Sequence, residues 1–199
     1  MLRVRDPGSM PRKPRIEAAG AIHHVIARGN AGVEIVLDNS DRRDLVTALE
    51  RASERHGWLV HAYCVMDTHI HAVIETPQPN LGAGMQRLLG GYAFEFNRRH
   101  GQYGRLFAGP FSSALVETER YALTVCAYVV LNPVRARLAS APEDWEWSSY
   151  RATAGLIRPP DFLETRLVPA MLHPDRKRAY GLYRQLVREA DENPRPRSG

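Results

Sequence analysis

Apolar and polar residues alternate from Thr68 to Glu75, and a strand built on that pattern turns Ile70, Ala72 and Ile74 to one face and His69 and His71 to the other. Trp58 to Met66 is a second β-rich run, joined to the first by a tight connection at Asp67, so the two predict an antiparallel hairpin. An earlier strand is expected from Ile22 to Arg28, closed by Gly29 and Asn30. Between them, Leu45, Val46, Leu49 and Ala52 recur at helical spacing, with Ser40 as the expected N-cap and Gly57 as the stop. A second helix carries the stripe Leu81, Met85, Leu88, Leu89, Tyr92 and Phe96 and ends near His100. Phe111 to Val116 predicts another strand. Glu119 to Leu131 predicts a third helix, stopped by Pro133, which also biases Asn132 away from helical geometry.

The order strand, helix, strand, strand, helix, strand, helix predicts an α+β fold, a ferredoxin-like antiparallel sheet with helices on one face. Residues 1–19 read as a flexible basic arm broken by Pro7, Gly8, Pro11 and Pro14, and the folded domain is expected over 20–156. Trp145, Trp147 and Tyr150 are expected to pack back on it, ahead of a C-terminal extension, 157–199.

Composition narrows the classes. In a chain of 199 residues, 44% apolar content is enough for a real core. No apolar run approaches the ~20 residues of a membrane span, and no secretory stretch opens the chain, so the expectation is a cytoplasmic protein with no membrane partner. Cys64 and Cys126, the two cysteines, read as reduced core thiols. The net charge of +5 points toward a polyanion, but its distribution is uneven. Residues 1–19 hold five basic residues against two acidic ones and residues 173–199 seven against four, so the excess lies in the tails. Within the middle, basic residues still cluster at Arg98, Arg99 and Arg105 and at Arg135 and Arg137.

The chemistry begins with the histidine pair. Same-face neighbours on a strand lie roughly 7 Å apart, close enough for two ring nitrogens to converge on one divalent ion at about 2.1 Å each. The pattern by itself is also compatible with two half-exposed histidines on a polar face. On the third helix, Tyr121, Val125, Tyr128 and Asn132 fall along one stripe, with Leu123, Cys126, Ala127 and Val130 roughly opposite. A phenol can supply a nucleophile and an amide oxygen an uncharged hard ligand, while a packed aromatic and a polar helix end account for the same two residues structurally.

Taken together, PRKPRIEAAGAIHHVIARGN, HAYCVMDTHIHAVIETPQPNL, FNRRHGQYGRLFAGPF, and AYVVLNPVRARL followed by PEDWEWSSY resemble the HUH single-tyrosine transposases, in particular the branch associated with repetitive extragenic palindromes, abbreviated REP. The resemblance runs from about Pro11 to Leu156 and implies the HUH endonuclease type of fold. It further implies a metal-dependent single-stranded DNA endonuclease and strand transferase. His69, His71 and Asn132 would hold Mg²⁺ or Mn²⁺, and Tyr128 would form a 5′-phosphotyrosine link on hairpin DNA. The expected partner is single-stranded or hairpin DNA, with the protein a monomer or homodimer. Arg12, Lys13, Arg15, Arg98, Arg99 and Arg105 are the expected DNA-binding residues.

The chain departs from the family's pattern at Asp67-Thr68, where Pro-Asn is usual, and at Pro110-Phe111-Ser112, where a basic segment is usual. The second reading is therefore a domesticated or inactive hairpin-DNA-binding protein of the same fold.

Overall fold

The computed structural model describes residues 17–192, so Arg12, Lys13 and Arg15 lie outside the described residues. Four strands, β1 (Ala21–Arg28), β2 (Leu59–Val65), β3 (His69–Thr76) and β4 (Ser112–Leu115), form one sheet in the order β2-β3-β1-β4, with every pairing antiparallel. The two long strands β1 and β3 are central, and their register sets Arg28 opposite His69 and Ile26 opposite His71. The α+β antiparallel architecture expected from the chain is the one observed.

The β2–β3 connection is the expected tight hairpin. The Met66 N–H donates to the His69 carbonyl at 2.8 Å, leaving Asp67 and Thr68 at the tip. Asp67 is clamped from outside the hairpin. Its carbonyl accepts the Ile35 N–H at 2.7 Å, and its carboxylate pairs with the Arg42 guanidinium. The corner that starts the histidine strand is thus fixed by the segment before and inside the first helix, a role that Asp67 performs here without the rigidity of a proline.

Helix α1 (Asn39–His56) begins at Asp38, whose side chain accepts the Asp41 N–H, rather than at Ser40. Asp38 takes the cap because its extended backbone (φ −148°, ψ 177°) aims the carboxylate back at the first turn, while Ser40 is already helical. Helix α2 (Leu81–His100) matches its apolar stripe, and Gly57 and Gly101 end the two helices in left-handed geometry, at φ 66° and 62°. Together α1 and α2 cover one sheet face, where Leu45, Leu49, Met85 and Leu88 meet Val25, Tyr63, Ile70 and Ile74.

The opposite face is covered as well, which the expectation of helices on one face did not include. Helix α3 (Glu119–Val130) packs Val125, Cys126 and Val129 against Ala62, Cys64 and Val73. Three short helical segments, α4 (Asn132–Arg135), α5 (Tyr150–Thr153) and α6 (Leu167–Leu172), follow. Helix α7 (Arg176–Glu192) then docks on α3 through Ala179, Tyr183 and Val187, spaced by four and almost fully buried. The physical reason is that both faces of this sheet are apolar, and small residues such as Ala62 and Cys64 let α3 approach closely. Burying Tyr183 and Val187 contributes about 2 kcal/mol each toward holding α7 in place. Trp145 is tied to the sheet through its indole N–H, which donates to the Val65 carbonyl at 3.0 Å.

Pro133 does not end helical geometry at Asn132. Leu131 breaks α3 at φ −87°, ψ −5°, and Asn132 opens the next helical turn with Pro133 in its first positions. A proline is tolerated in the first positions of a helical turn, and the Val129 carbonyl its N–H would have reached is taken by the Asn132 side chain, at 3.2 Å.

Candidate active site between the sheet and the third helix

Alternation along β3 places His69 and His71 on the face that looks toward α3, with ring centroids 4.9 Å apart and planes at 77°. His71 is fully buried and His69 half-buried. Across the gap, the Tyr128 ring lies 5.7 Å from the His71 ring, edge to face. Among the described residues, Tyr128 is the tyrosine whose ring meets the histidines; Tyr121 is 43% exposed near the start of α3. The stripe read along α3 therefore bends: Val125 enters the core while Tyr128 and Asn132 remain half-buried.

Asn132 sits one turn beyond Tyr128, and its side-chain Nδ2 donates to the Tyr128 carbonyl at 2.9 Å and the Val129 carbonyl at 3.2 Å. These bonds hold the amide nitrogen against the helix and turn its oxygen away from those carbonyls. Arg135 places its guanidinium carbon 5.3 Å from the centre of the Tyr128 ring and donates from Nη2 to the Ala190 carbonyl of α7 at 2.9 Å. The residues around the phenol are thereby linked to the C-terminal helix.

A third imidazole joins the pair. The His24 ring on β1 lies nearly parallel to that of His71, within 17° and with centroids 5.3 Å apart, and its Nε2 lies 3.1 Å from His71 Nδ1. His71 Nε2 is buried with no hydrogen-bond partner, while His69 Nδ1 lies 3.0 Å from the Thr68 hydroxyl. Burial pushes His24 down to about 4 and, with the Arg28 charge opposite, pushes His69 down to about 4. Burial also holds His71 well below the usual histidine range, reinforced by His24, His69 and Arg28. All three rings are neutral at neutral pH, the state in which an imidazole nitrogen offers a lone pair.

Neither His24 nor Arg28 stands out from the one-dimensional pattern, because their partners belong to β3, more than 40 positions later. The one available signal was the alternation Ile22, His24, Ile26, Arg28, which assigns His24 and Arg28 to a common face. Among the described residues no group of three or more His, Cys, Asp or Glu side chains is arranged to hold a metal ion, so an ion here would depend on imidazoles and an amide.

The basic residues expected at a DNA surface occupy different situations. Arg98 is exposed and pairs with Glu95 within its own helix. Arg99 reaches Asp38 at 3.0 Å, Asp41 at 3.3 Å and Asp44 at 3.5 Å, so it is engaged inside the protein. Arg105 is exposed beside Tyr103, itself 97% exposed, on a shallow cleft of about 390 Å³ that includes Asn30 and Val33. That cleft adjoins the end of β1, since the Asn30 N–H donates to the Leu106 carbonyl at 2.8 Å and Arg28 closes the strand beside His69.

One solved chain, described as a REP-associated tyrosine transposase bound to a REP hairpin, superposes with a TM-score of 0.64 at 14% identity, covering 78% of this chain and 92% of its own. A second, a transposase-like chain from Deinococcus radiodurans, gives a TM-score of 0.42 at 17% identity, covering 67% of this chain and 97% of its own. No curated protein matches. The profile of IS200-like transposases matches residues 19–132, which takes in the whole sheet, Tyr128 and Asn132. On that match, over more than half of its length, the chain belongs to the IS200-like transposase family.

Proposed function

We propose that this chain is a metal-dependent endonuclease and strand transferase for single-stranded DNA, with Tyr128 as its nucleophile. The observation that carries the reading is the placement of the Tyr128 ring 5.7 Å from His71, with Asn132 one turn on. The residues present fit a divalent ion. His71 Nε2 is a buried polar atom without a protein partner, both imidazoles of the pair are neutral, and the Asn132 oxygen is turned off its helix. His69, His71 and Asn132 would hold Mg²⁺ or Mn²⁺, and a bound ion would supply positive charge to the non-bridging oxygens of the scissile phosphate.

Tyr128 does the covalent work. Its phenolic oxygen forms a bond to phosphorus as the bond from phosphorus to the 3′-oxygen breaks; the proton lost by the phenol is balanced by the one gained at the released 3′-hydroxyl. One phosphodiester is exchanged for another, so the linkage can be returned to a new 3′ end without an energy source. Arg135, held by the Ala190 carbonyl, keeps the ring from swinging out of the gap. The solved REP-hairpin complex supports a hairpin as the form of the substrate, and Arg98 and Arg105 are the exposed described candidates for phosphate contacts.

The test is to incubate the protein with single-stranded hairpins, with Mn²⁺ or with chelator, and to map the modified residue by mass spectrometry. A Mn²⁺-dependent covalent adduct on Tyr128 is expected. Hairpin binding with no adduct under any metal would favour the binding-only reading.

A further inference from the structure

His24 lies against both partners of the proposed chemistry, its ring nearly parallel to His71 and meeting it nitrogen to nitrogen, and edge-on to Tyr128 at 5.9 Å, yet it belongs to neither the expected ligand set nor the nucleophile. We propose that His24 is a positioning residue, accepting the Nδ1 hydrogen of His71 and so fixing the tautomer that leaves the His71 Nε2 lone pair open to a cation.

The geometry carries this. His24 Nε2 and His71 Nδ1 are 3.1 Å apart, the ring planes are within 17° of each other, and the 5.3 Å between centroids sets the rings side by side rather than face to face, so an N–H and a lone pair, both in the ring planes, can share one line. One hydrogen lies between the two nitrogens, because two neutral rings bond only as donor and acceptor. If His24 were the donor, His71 would carry its hydrogen on Nε2, a buried N–H with no acceptor, an arrangement folded proteins avoid. If His71 donates, Nε2 keeps a lone pair instead, and the atom without a protein partner is one that a cation can use. Because Nε2 has no other protein partner, the choice of tautomer falls to this one contact at Nδ1.

The backbone secures the arrangement. His24 is opposite Val73 and His71 opposite Ile26 in the β1–β3 ladder, so the two imidazoles are diagonal neighbours whose separation follows the register. The arrangement places a hydrogen-bond partner behind a metal-binding imidazole, with a neutral imidazole doing what a carboxylate or carbonyl commonly does.

The metal half of this inference rests on the function proposed above, and the experiment separates the two. Long-range ¹H–¹⁵N spectra of metal-free protein at neutral pH report the His71 tautomer directly. Hydrogen on Nδ1 is expected in the native protein and in His24→Gln, whose Oε1 falls near the position of the imidazole Nε2. It should be lost in His24→Leu, with His24→Asn, whose amide is too short to reach, taking its place if the leucine variant does not fold. Mn²⁺ affinity should fall roughly 10- to 100-fold in the leucine or asparagine variant and be largely kept in the glutamine variant. Hydrogen on His71 Nε2 in the native protein, or native tautomer and Mn²⁺ affinity in both short variants, would overturn the proposal. A native protein that binds no Mn²⁺, yet whose tautomer still follows His24, would remove the metal reading and support the positioning role.

Discussion

The side-chain amide of Asn132 donates to the backbone carbonyl of Tyr128, so the proposed ligand, at the start of α4, and the proposed nucleophile, on α3, are fastened to each other across the junction of the two helices. Pro133 accounts for the second bond the amide makes. It has no N–H to offer the Val129 carbonyl four residues back, and the Asn132 Nδ2 occupies that acceptor as well, at 3.2 Å. Asn132→Asp is therefore not a harmless swap, although it adds a negative charge that a cation would welcome. It sets a carboxylate against two carbonyl oxygens and loses both bonds, and we expect unfolding in urea to show a loss of about 1–2 kcal/mol. Equal stability of the two proteins would show that these bonds do not hold the side chain.

Removing one hydroxyl should separate Tyr128 from the other tyrosines. Tyr128→Phe keeps the ring against His71 and beneath Arg135, so fold and DNA binding should persist while the metal-dependent adduct disappears. Tyr121→Phe should leave adduct formation unchanged, because that ring is exposed near the start of α3. An adduct that survives Tyr128→Phe would defeat the mechanism.

Two glycines of α2 should respond in opposite directions to alanine. A Cβ on Gly84 would lie 2.1 Å from Cζ2 of Trp58. That indole cannot give way cheaply, since it is buried and its N–H donates to Asn80 Oδ1 at 2.7 Å. Gly84→Ala should cost about 1–3 kcal/mol. Gly91 has open space where its Cβ would be, so Gly91→Ala should stabilise by about 0.5–1 kcal/mol through the helix propensity alone. Thermal melts of the two variants check both signs.

What could be read along the chain was what repeats with a period. The alternation through His69 and His71 and the stripe from Leu81 to Phe96 located β3 and α2 closely, and the spacing of Tyr128 and Asn132 set them one turn apart, although Asn132 opens α4 rather than lying on α3. What could not be read was pairing. That β1 lies between β3 and β4, bringing His24 onto His71, depends on contacts between segments far apart in the chain. The docking of α7 on α3 was hidden for a similar reason: Ala179, Tyr183 and Val187 form a narrow seam in a helix otherwise rich in arginine. The cap at Asp38 and the helical turn opened by Asn132 were set by local backbone geometry that residue type alone leaves open.

Charge counted along the chain treats Arg99 and Arg105 alike, and the structure separates them. Arg99 faces three aspartates, and the most important is Asp41, whose buried carboxylate also accepts the Leu37 N–H at 2.8 Å and lies 2.9 Å from His100 Nε2. Losing Arg99 removes a cation from beside a buried anion, but the guanidinium is about a third exposed and His100 remains, so Arg99→Ala should cost only about 1 kcal/mol. Its effect on the salt dependence of hairpin binding should be negligible, because a guanidinium already surrounded by carboxylates releases few counterions from DNA. Arg105 is exposed beside the likewise exposed Tyr103, near the end of β1 that carries Arg28 to His69. Arg105→Ala should leave the melting temperature unchanged and reduce the slope of log K against log salt by about one, the signature of one lost phosphate contact. A flattened slope in Arg99→Ala with an unchanged one in Arg105→Ala would reverse the assignment and move the DNA path to the α1–α2 side of the molecule.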